Sequence, residues 1–194
     1  MKKVLVIVAH PDDETIWMGG TILKNLDKWD LTIISLCRKN DKDRNPKFKK
    51  VCELLNAKCF ISNLDDSENG YYKKISEQEI IKHIQKFADK DYDLIFTHGK
   101  NGEYGHIRHI EIHNTVEKMI KRGILCCKQI FFFAYVRKGK YCAVDPNANK
   151  FIKLNDSQTL RKWGIIKKIY GFKRESFEFK STNKKESFEQ KENL

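Results

Sequence analysis

The sequence predicts an α/β protein, a Rossmann-like three-layer α/β/α sandwich on a mostly parallel sheet. Three observations predict it. Short apolar runs rich in β-branched residues, at 4–9, 31–37 and 92–97, alternate with longer segments of helical periodicity, as repeated βαβ units do. These runs are apolar at consecutive positions, as strands buried on both faces require. The first run lacks the GxGxxG that follows it in dinucleotide folds, and His10-Pro11 stands where a pyrophosphate would approach, which disfavours a nicotinamide enzyme.

The first strand, 4–9, ends abruptly in His10-Pro11-Asp12-Asp13-Glu14. One imidazole and three carboxyls thus stand at a strand's carboxyl edge, where open α/β sheets bind ligands. Three adjacent acids repel one another unless a positive charge sits among them. With His10 alongside, a divalent metal is the natural candidate. Taken alone, the same residues also read as a solvated turn with an acid favoured in the first helical turn.

A helix is expected over 13–28, with Ile16, Trp17, Ile22, Leu23 and Leu26 at roughly helical spacing. Gly19-Gly20 inside it costs about 1 kcal/mol per glycine relative to Ala, so close approach of another backbone or of a ligand is its expected reason. Residues 31–37 form the second strand. The charged stretch 38–50 begins on the same edge as His10, and Arg38 and Arg44 in it either meet an anionic part of a substrate or belong to a solvated loop. Pro46 suits the first turn of a helix running to 56. Residues 58–64 make a third strand. It ends in Asp65-Asp66, read as a turn, and a polar loop with Gly70 follows. Residues 75–89 form an amphipathic helix with Ile80, Ile81, Ile84 and Phe87 inward, and 92–97 a fourth strand.

A glycine-rich loop, 98–105, opens into a helix from His106 to 122. His106, His109 and His113 are related by i, i+3 and i+7 and share one face. Alone this is a weak metal signal; with His10 and the acids at another strand end it is a strong one. The aromatic run 129–136 is a fifth, buried strand. A polar connection over 137–149 holds a short strand near 141–144, and Asp156-Ser157 caps a helix over 158–170. Residues 1–172 read as one domain. Residues 173–194 alternate Lys with Glu, Ser and Asn, offer little to pack, and read as a polar, mobile tail.

Composition narrows the partners. No apolar run approaches the ~20 residues of a transmembrane helix, and the N-terminal run is too short for a signal peptide. A cytoplasmic protein is expected. The six cysteines contain no CxxC pair and read as reduced, buried thiols. The net charge of +12 suits nucleic acid, a membrane surface or an anionic substrate. Only seven of the 38 basic residues are Arg, which speaks against base readout. No nucleic-acid partner is expected, and the chain carries no signal of an oligomeric state.

Ala9-His10-Pro11-Asp12-Asp13-Glu14 reproduces in full the AHPDDE signature of the PIG-L/LmbE family of metal-dependent deacetylases. Gly105-His106-Ile107-Arg108-His109 resembles that family's second motif, GHPDH. The likeness runs from residue 1 to about 172. The family hydrolyses N-acyl groups, mostly the acetamide of N-acetylglucosamine-type sugars. The resemblance therefore implies a metal-dependent N-deacetylase acting on a small molecule or glycoconjugate with an N-acetyl amino sugar. It implies His10, Asp13 and His109 as metal ligands, Asp12 as general base and His106 as the oxyanion stabiliser. Two histidines and one carboxylate leave positions open, the pattern of catalytic Zn2+, which Fe2+ or another divalent metal also accepts.

Two departures matter. Ile107 replaces a proline that a helix start does not need. Arg108 replaces an acid, and a cation there disfavours protonated His106; either another acid, Glu103, substitutes or the pH optimum shifts. Glu14 reads as an anchor for the loop at the helix start, and His113 as a core histidine or a support for His109. The basic surplus favours a phosphate-bearing substrate, with Arg38 as its contact. Two other readings stay open. A metal-dependent phosphoesterase acting on an anionic sugar or nucleotide would show two metals ~3.5–4 Å apart. A non-catalytic basic binding module would not need Asp12 beside the ligand Asp13.

Overall fold

The computed structural model describes residues 1–66 and 73–192; Gly70 and the polar loop around it lie outside the described residues. The first strand, β1 (Lys2–Val8), lies inside the sheet between β2 and β4. Its successive side chains point to opposite faces. Val4, Val6 and Val8 enter one core, and Leu5, Ile7 and Ala9 enter the other. Each is fully buried, worth roughly 1.5–3 kcal/mol for a Val, Leu or Ile side chain. That double burial is why the run is apolar throughout.

Helix α1 (Asp13–Lys24) leads to β2 (Trp29–Cys37), α2 (Arg44–Leu54), β3 (Lys58–Leu64), α3 (Glu77–Gln85) and β4 (Asp91–Thr97). A short turn, α4 (Gly102–Gly105), precedes the long helix α5 (Ile107–Lys121) and β5 (Cys126–Phe133). β6 (Tyr135–Arg137) and β7 (Cys142–Val144) form a separate antiparallel hairpin. β8 (Lys150–Lys153) and α6 (Asp156–Gly164) follow, and α6 runs on through a π-helical turn at Ile165–Ile169. The chain ends with α7 (Phe177–Ser181) and β9 (Lys185–Glu192).

The main sheet has the order β3-β2-β1-β4-β5-β9-β8. β1 to β5 are parallel, and β9 runs antiparallel to both β5 and β8. One core gathers side chains of α1, α2 and the π-helical turn, the other those of α3 and α5. The mostly parallel sheet between two helical layers is the three-layer α/β architecture expected. The chain crosses between β1 and β4 at the sheet's centre, so the loops after those strands meet at a switch point, where such sheets bind ligands.

Three expectations are revised. Helix α1 stops at Lys24, four residues early. The aromatic run 129–136 is split. β5 ends at Phe133, and Ala134 turns the chain into β6, its N–H donating to Ser187 O and its carbonyl accepting from Asp145 N. Most consequentially, the polar tail is part of the fold: β9 lies inside the sheet, with Glu186, Ser187 and Phe188 buried. Glu186 explains the placement. Its carboxylate accepts from Lys162 Nζ at 2.7 Å, from Gly20 N at 2.8 Å, and from Thr21 N at 2.7 Å and Thr21 Oγ1 at 2.5 Å. Lys162 and Glu186 are both fully buried. Gly20 is therefore the site of close approach. A Cβ there would lie 2.2 Å from Leu154 Cδ1, while its backbone N–H meets the buried carboxylate.

Candidate metal centre and active site

The AHPDDE stretch leaves β1 at its carboxyl edge. Ala9 N donates to His98 Nε2 at 2.8 Å, and Ala9 O accepts from Cys37 N at 2.9 Å. These bonds lock the strand end to β4 and β2. Asp12 has φ 109°, a conformation non-glycine residues rarely adopt. Glu14 stabilises that turn, as its anchoring role requires. Its buried carboxylate accepts from Asp12 N (3.0 Å), Thr15 Oγ1 (2.6 Å) and Tyr170 OH (2.8 Å).

His10, Asp13 and His109 converge. His10 Nδ1 lies 3.3 Å from Asp13 Oδ2, His109 Nε2 lies 3.4 Å from the same oxygen, and the two imidazole nitrogens are 3.3 Å apart. Each partner's remaining atoms are held. His10 Nε2 meets Asp66 Oδ1 at 2.7 Å. His109 Nδ1 hydrogen-bonds Glu103 Oε2. Asp13 Oδ1 accepts from Trp17 Nε1 at 2.9 Å, which turns Oδ2 towards the histidines. Two imidazoles backed by carboxylates, with their inner nitrogens facing one carboxylate oxygen, fit a divalent cation by the chemistry of the donors. Burial lowers the His10 pKa, but its hydrogen bonds to Asp13 and Asp66 outweigh that and hold it up at about 9. A bound cation would take the place of the proton at Nδ1. Burial and the nearby His98 lower the His109 pKa.

Glu103 stands at φ 59° between two glycine-dependent turns. Its Oε1 accepts from Gly99 N at 2.7 Å, and its Oε2 accepts from His98 Nδ1 at 3.0 Å as well as from His109. Because His98 Nε2 accepts the Ala9 N–H, its proton is fixed on Nδ1. Burial opposes ionisation of Glu103, but His98 and His109 outweigh it and hold the carboxyl down at about 2. Glu103, one of the two compensations open for the missing motif acid, hydrogen-bonds His109 and His98. Arg108 points the other way. Its buried guanidinium donates to Asp65 O, Lys73 O and Glu111. The His106 pKa is pulled down to about 3 by burial, then by His109 and His10.

Asp12, His106 and Arg38 line one cavity with His10 and Asp13, of about 160 Å3. Burial and the charge of Asp13 push the Asp12 carboxyl well above the usual range, and Arg44, which hydrogen-bonds Asp12 Oδ2, pulls it back. Arg38 donates to Asp66 Oδ2 at 2.7 Å while lining the cavity. The ring of His106 lies 4.9 Å from that of His10 and 4.6 Å from that of His109. His113 stands apart: its Nδ1 meets His98 O at 2.9 Å and its ring packs on Phe132.

Sequence reasoning did not assign Asp66, Trp17, His98 or the Arg44–Asp12 pairing. The spacing of Asp13 and Trp17, i and i+4 in a helix, could have signalled one contact. Nothing local announces Asp66, which is 56 residues from His10.

Comparison with known proteins follows the same lines. The family model described as GlcNAc-PI de-N-acetylase matches residues 5–120, more than half of the chain. An uncharacterised protein of Acanthamoeba polyphaga mimivirus, L374, is 26% identical over 133 residues. That match covers 60% of this chain and 55% of L374, so the chain spans about half the length of the curated relative it matches. Among solved structures, the N,N'-diacetylchitobiose deacetylase of Pyrococcus horikoshii superposes with TM-score 0.62 at 19% identity, over 89% of this chain and 71% of its own. The 4-carboxy-2-hydroxymuconate hydratase GalB of Pseudomonas putida KT2440 gives 0.67 at 14% identity over the whole of both chains. A zinc-inhibited teicoplanin deacetylase, Orf2, gives 0.60 at 10% identity, over 87% and 84%. These likenesses show a shared fold, which in GalB carries a hydratase. No helix among the described residues is long and apolar enough to cross a membrane. With the family model spanning both motifs, the chain belongs to the PIG-L family of GlcNAc-PI de-N-acetylases.

Proposed function

We propose that this protein is a metal-dependent N-deacetylase that hydrolyses the acetamide of an N-acetylated amino sugar or glycoconjugate. The observation that carries the reading is the convergence of His10 Nδ1, His109 Nε2 and Asp13 Oδ2 within 3.3–3.4 Å, beside Asp12 in the same cavity. His10, Asp13 and His109 would hold the metal, with Zn2+ favoured and Fe2+ also suited to the donors. Such an ion supplies Lewis acidity, activating water near neutral pH and polarising the acyl carbonyl.

The chain's own groups divide the remaining work. Asp12 acts as general base. Burial and Asp13 raise its proton affinity, which favours taking a proton from water and returning it to the leaving nitrogen. Arg44 positions that carboxylate and moderates its pKa. His106, neutral at physiological pH, donates a hydrogen bond to the oxyanion; loss of such a donor typically costs about 10²–10³ in rate. A cavity of about 160 Å3 falls below the ~300 Å3 of a site enclosing a drug-sized ligand. It takes the acetamide and leaves the rest of the sugar in the open mouth, near Arg38. A phosphate-bearing acceptor is the substrate Arg38 favours.

The test is an acetate-release screen of the metal-loaded protein over N-acetylated sugars, their phosphates and their glycoconjugates, with Asp12→Asn as control. Acetate release lost in Asp12→Asn supports the reading. Phosphate release, or hydration of an enoate in place of acetate release, refutes it.

A further inference from the structure

We propose a second binding site, remote from the metal centre, that takes an aliphatic carboxylate such as a medium-chain fatty acid. It is a cavity of about 390 Å3 lined by Lys2 and Trp29 at the amino-terminal ends of β1 and β2 and by Gln129 midway along β5. The candidate catalytic residues follow the carboxyl ends of β1 and β4, whereas Lys2 and Trp29 open this cavity at the amino-terminal edge, and the two cavities share no lining residue. The volume lies within the ~300–1,000 Å3 typical of small-molecule pockets.

Four rings, Trp29, Phe96, Phe131 and Phe188, make the apolar floor. They are already packed on one another. Phe96 stacks on Phe131 at 4.6 Å and 14°, and meets Trp29 at 5.5 Å and Phe188 at 5.6 Å. The floor is therefore a mosaic of ring faces and edges, extended by Leu94 and Ile152. It offers no slot between parallel rings for another flat group, and a flexible alkyl chain follows its relief.

The rim supplies the head-group chemistry. Lys2, Lys28 and Lys150 line the cavity from three different segments, and all three are exposed. Three nearby acids are engaged elsewhere. Asp30 pairs with Lys58, Asp93 pairs with Lys128, and Glu192 accepts from Gln129. Among the described residues, the three ammonium groups make no ion pair. Three cations around an apolar floor complement one ligand type, an apolar body ending in an anion.

The experiment titrates the intact protein with decanoate below its micelle threshold, followed by tryptophan emission and calorimetry. Saturable binding is expected, with an emission change lost in Trp29→Phe while the heat signal persists. The exposed lysine variant Lys2→Glu/Lys28→Glu/Lys150→Glu should weaken binding by ~10-fold or more, with Lys82→Glu/Lys86→Glu as an unaffected control. Decanol should bind less tightly than decanoate. The proposal is overturned by absence of saturable binding, by equal affinity for decanol, or by insensitivity to the three lysines. It is equally overturned if 2-naphthoate binds and decanoate does not, or if His10→Ala abolishes binding, which would place the ligand in the catalytic cavity.

Discussion

Replacing Glu103 by Gln tests the metal centre at its support. The carboxylate is an acceptor on both oxygens and receives three N–H groups: Gly99 N–H on Oε1, and the Nδ1–H groups of His98 and His109 on Oε2. Glutamine keeps one acceptor oxygen and presents an amide NH2 on the other side. If the NH2 faces Gly99, two donors collide in a fully buried site. If it faces the histidines, His109 must move its proton to Nε2, the atom needed as a ligand. His98 cannot make the same change, because its Nε2 accepts the Ala9 N–H. Either arrangement weakens the site, and loss of a carboxylate behind a ligating histidine typically costs about 10–100-fold in metal affinity. Competitive Zn2+ titration against a chromogenic chelator measures it, and the Co2+ absorption band reports ligand geometry. Circular dichroism and thermal melting check that the variant is folded. A folded Glu103→Gln protein with unchanged Zn2+ affinity and an unchanged Co2+ spectrum would refute the argument that Glu103 fixes the His109 tautomer.

The remaining predictions use simpler readouts. Asp12→Asn should retain metal and lose about 10²–10⁴ in kcat, the usual range for general-base removal; elemental analysis with steady-state kinetics separates the two effects. Glu186→Ala should destabilise the fold by roughly 3–5 kcal/mol, because it leaves Lys162 charged and unpaired in the core. For a chain of this size that is a Tm drop of roughly 6–20 °C, read by calorimetry. Gly99→Ala should lower Tm and metal affinity, since its Cβ would lie 2.1 Å from the Phe133 carbonyl oxygen. Burial lowers the folded pKa of His113, so the unfolded chain binds the extra proton first. The corresponding stability is present above about pH 6.5 and is lost as pH falls below it. His113→Gln should flatten that part of the stability-pH curve, measured by urea unfolding between pH 5 and pH 7.

The sequence by itself determined the layers and pointed to the three residues proposed to hold a metal. Buried parallel strands must be apolar at every position, so residues 4–9 declare a central strand. His10 and Asp13 are fixed by the same short turn, and His109 by the second motif, whose helical spacing sets it one turn from His106. Tertiary structure alone decided what stands behind them. Asp66 reaches His10 from just beyond β3, Glu103 turns to His109, and Arg44 reaches Asp12 from α2. β9 was illegible for the same reason. Its Glu186 reads as a solvated charge until Lys162, 24 residues away in sequence, is folded against it. Local patterning reveals what a residue must avoid, namely water for a valine, whereas a buried charge is explained only by a partner that the chain's path brings to it.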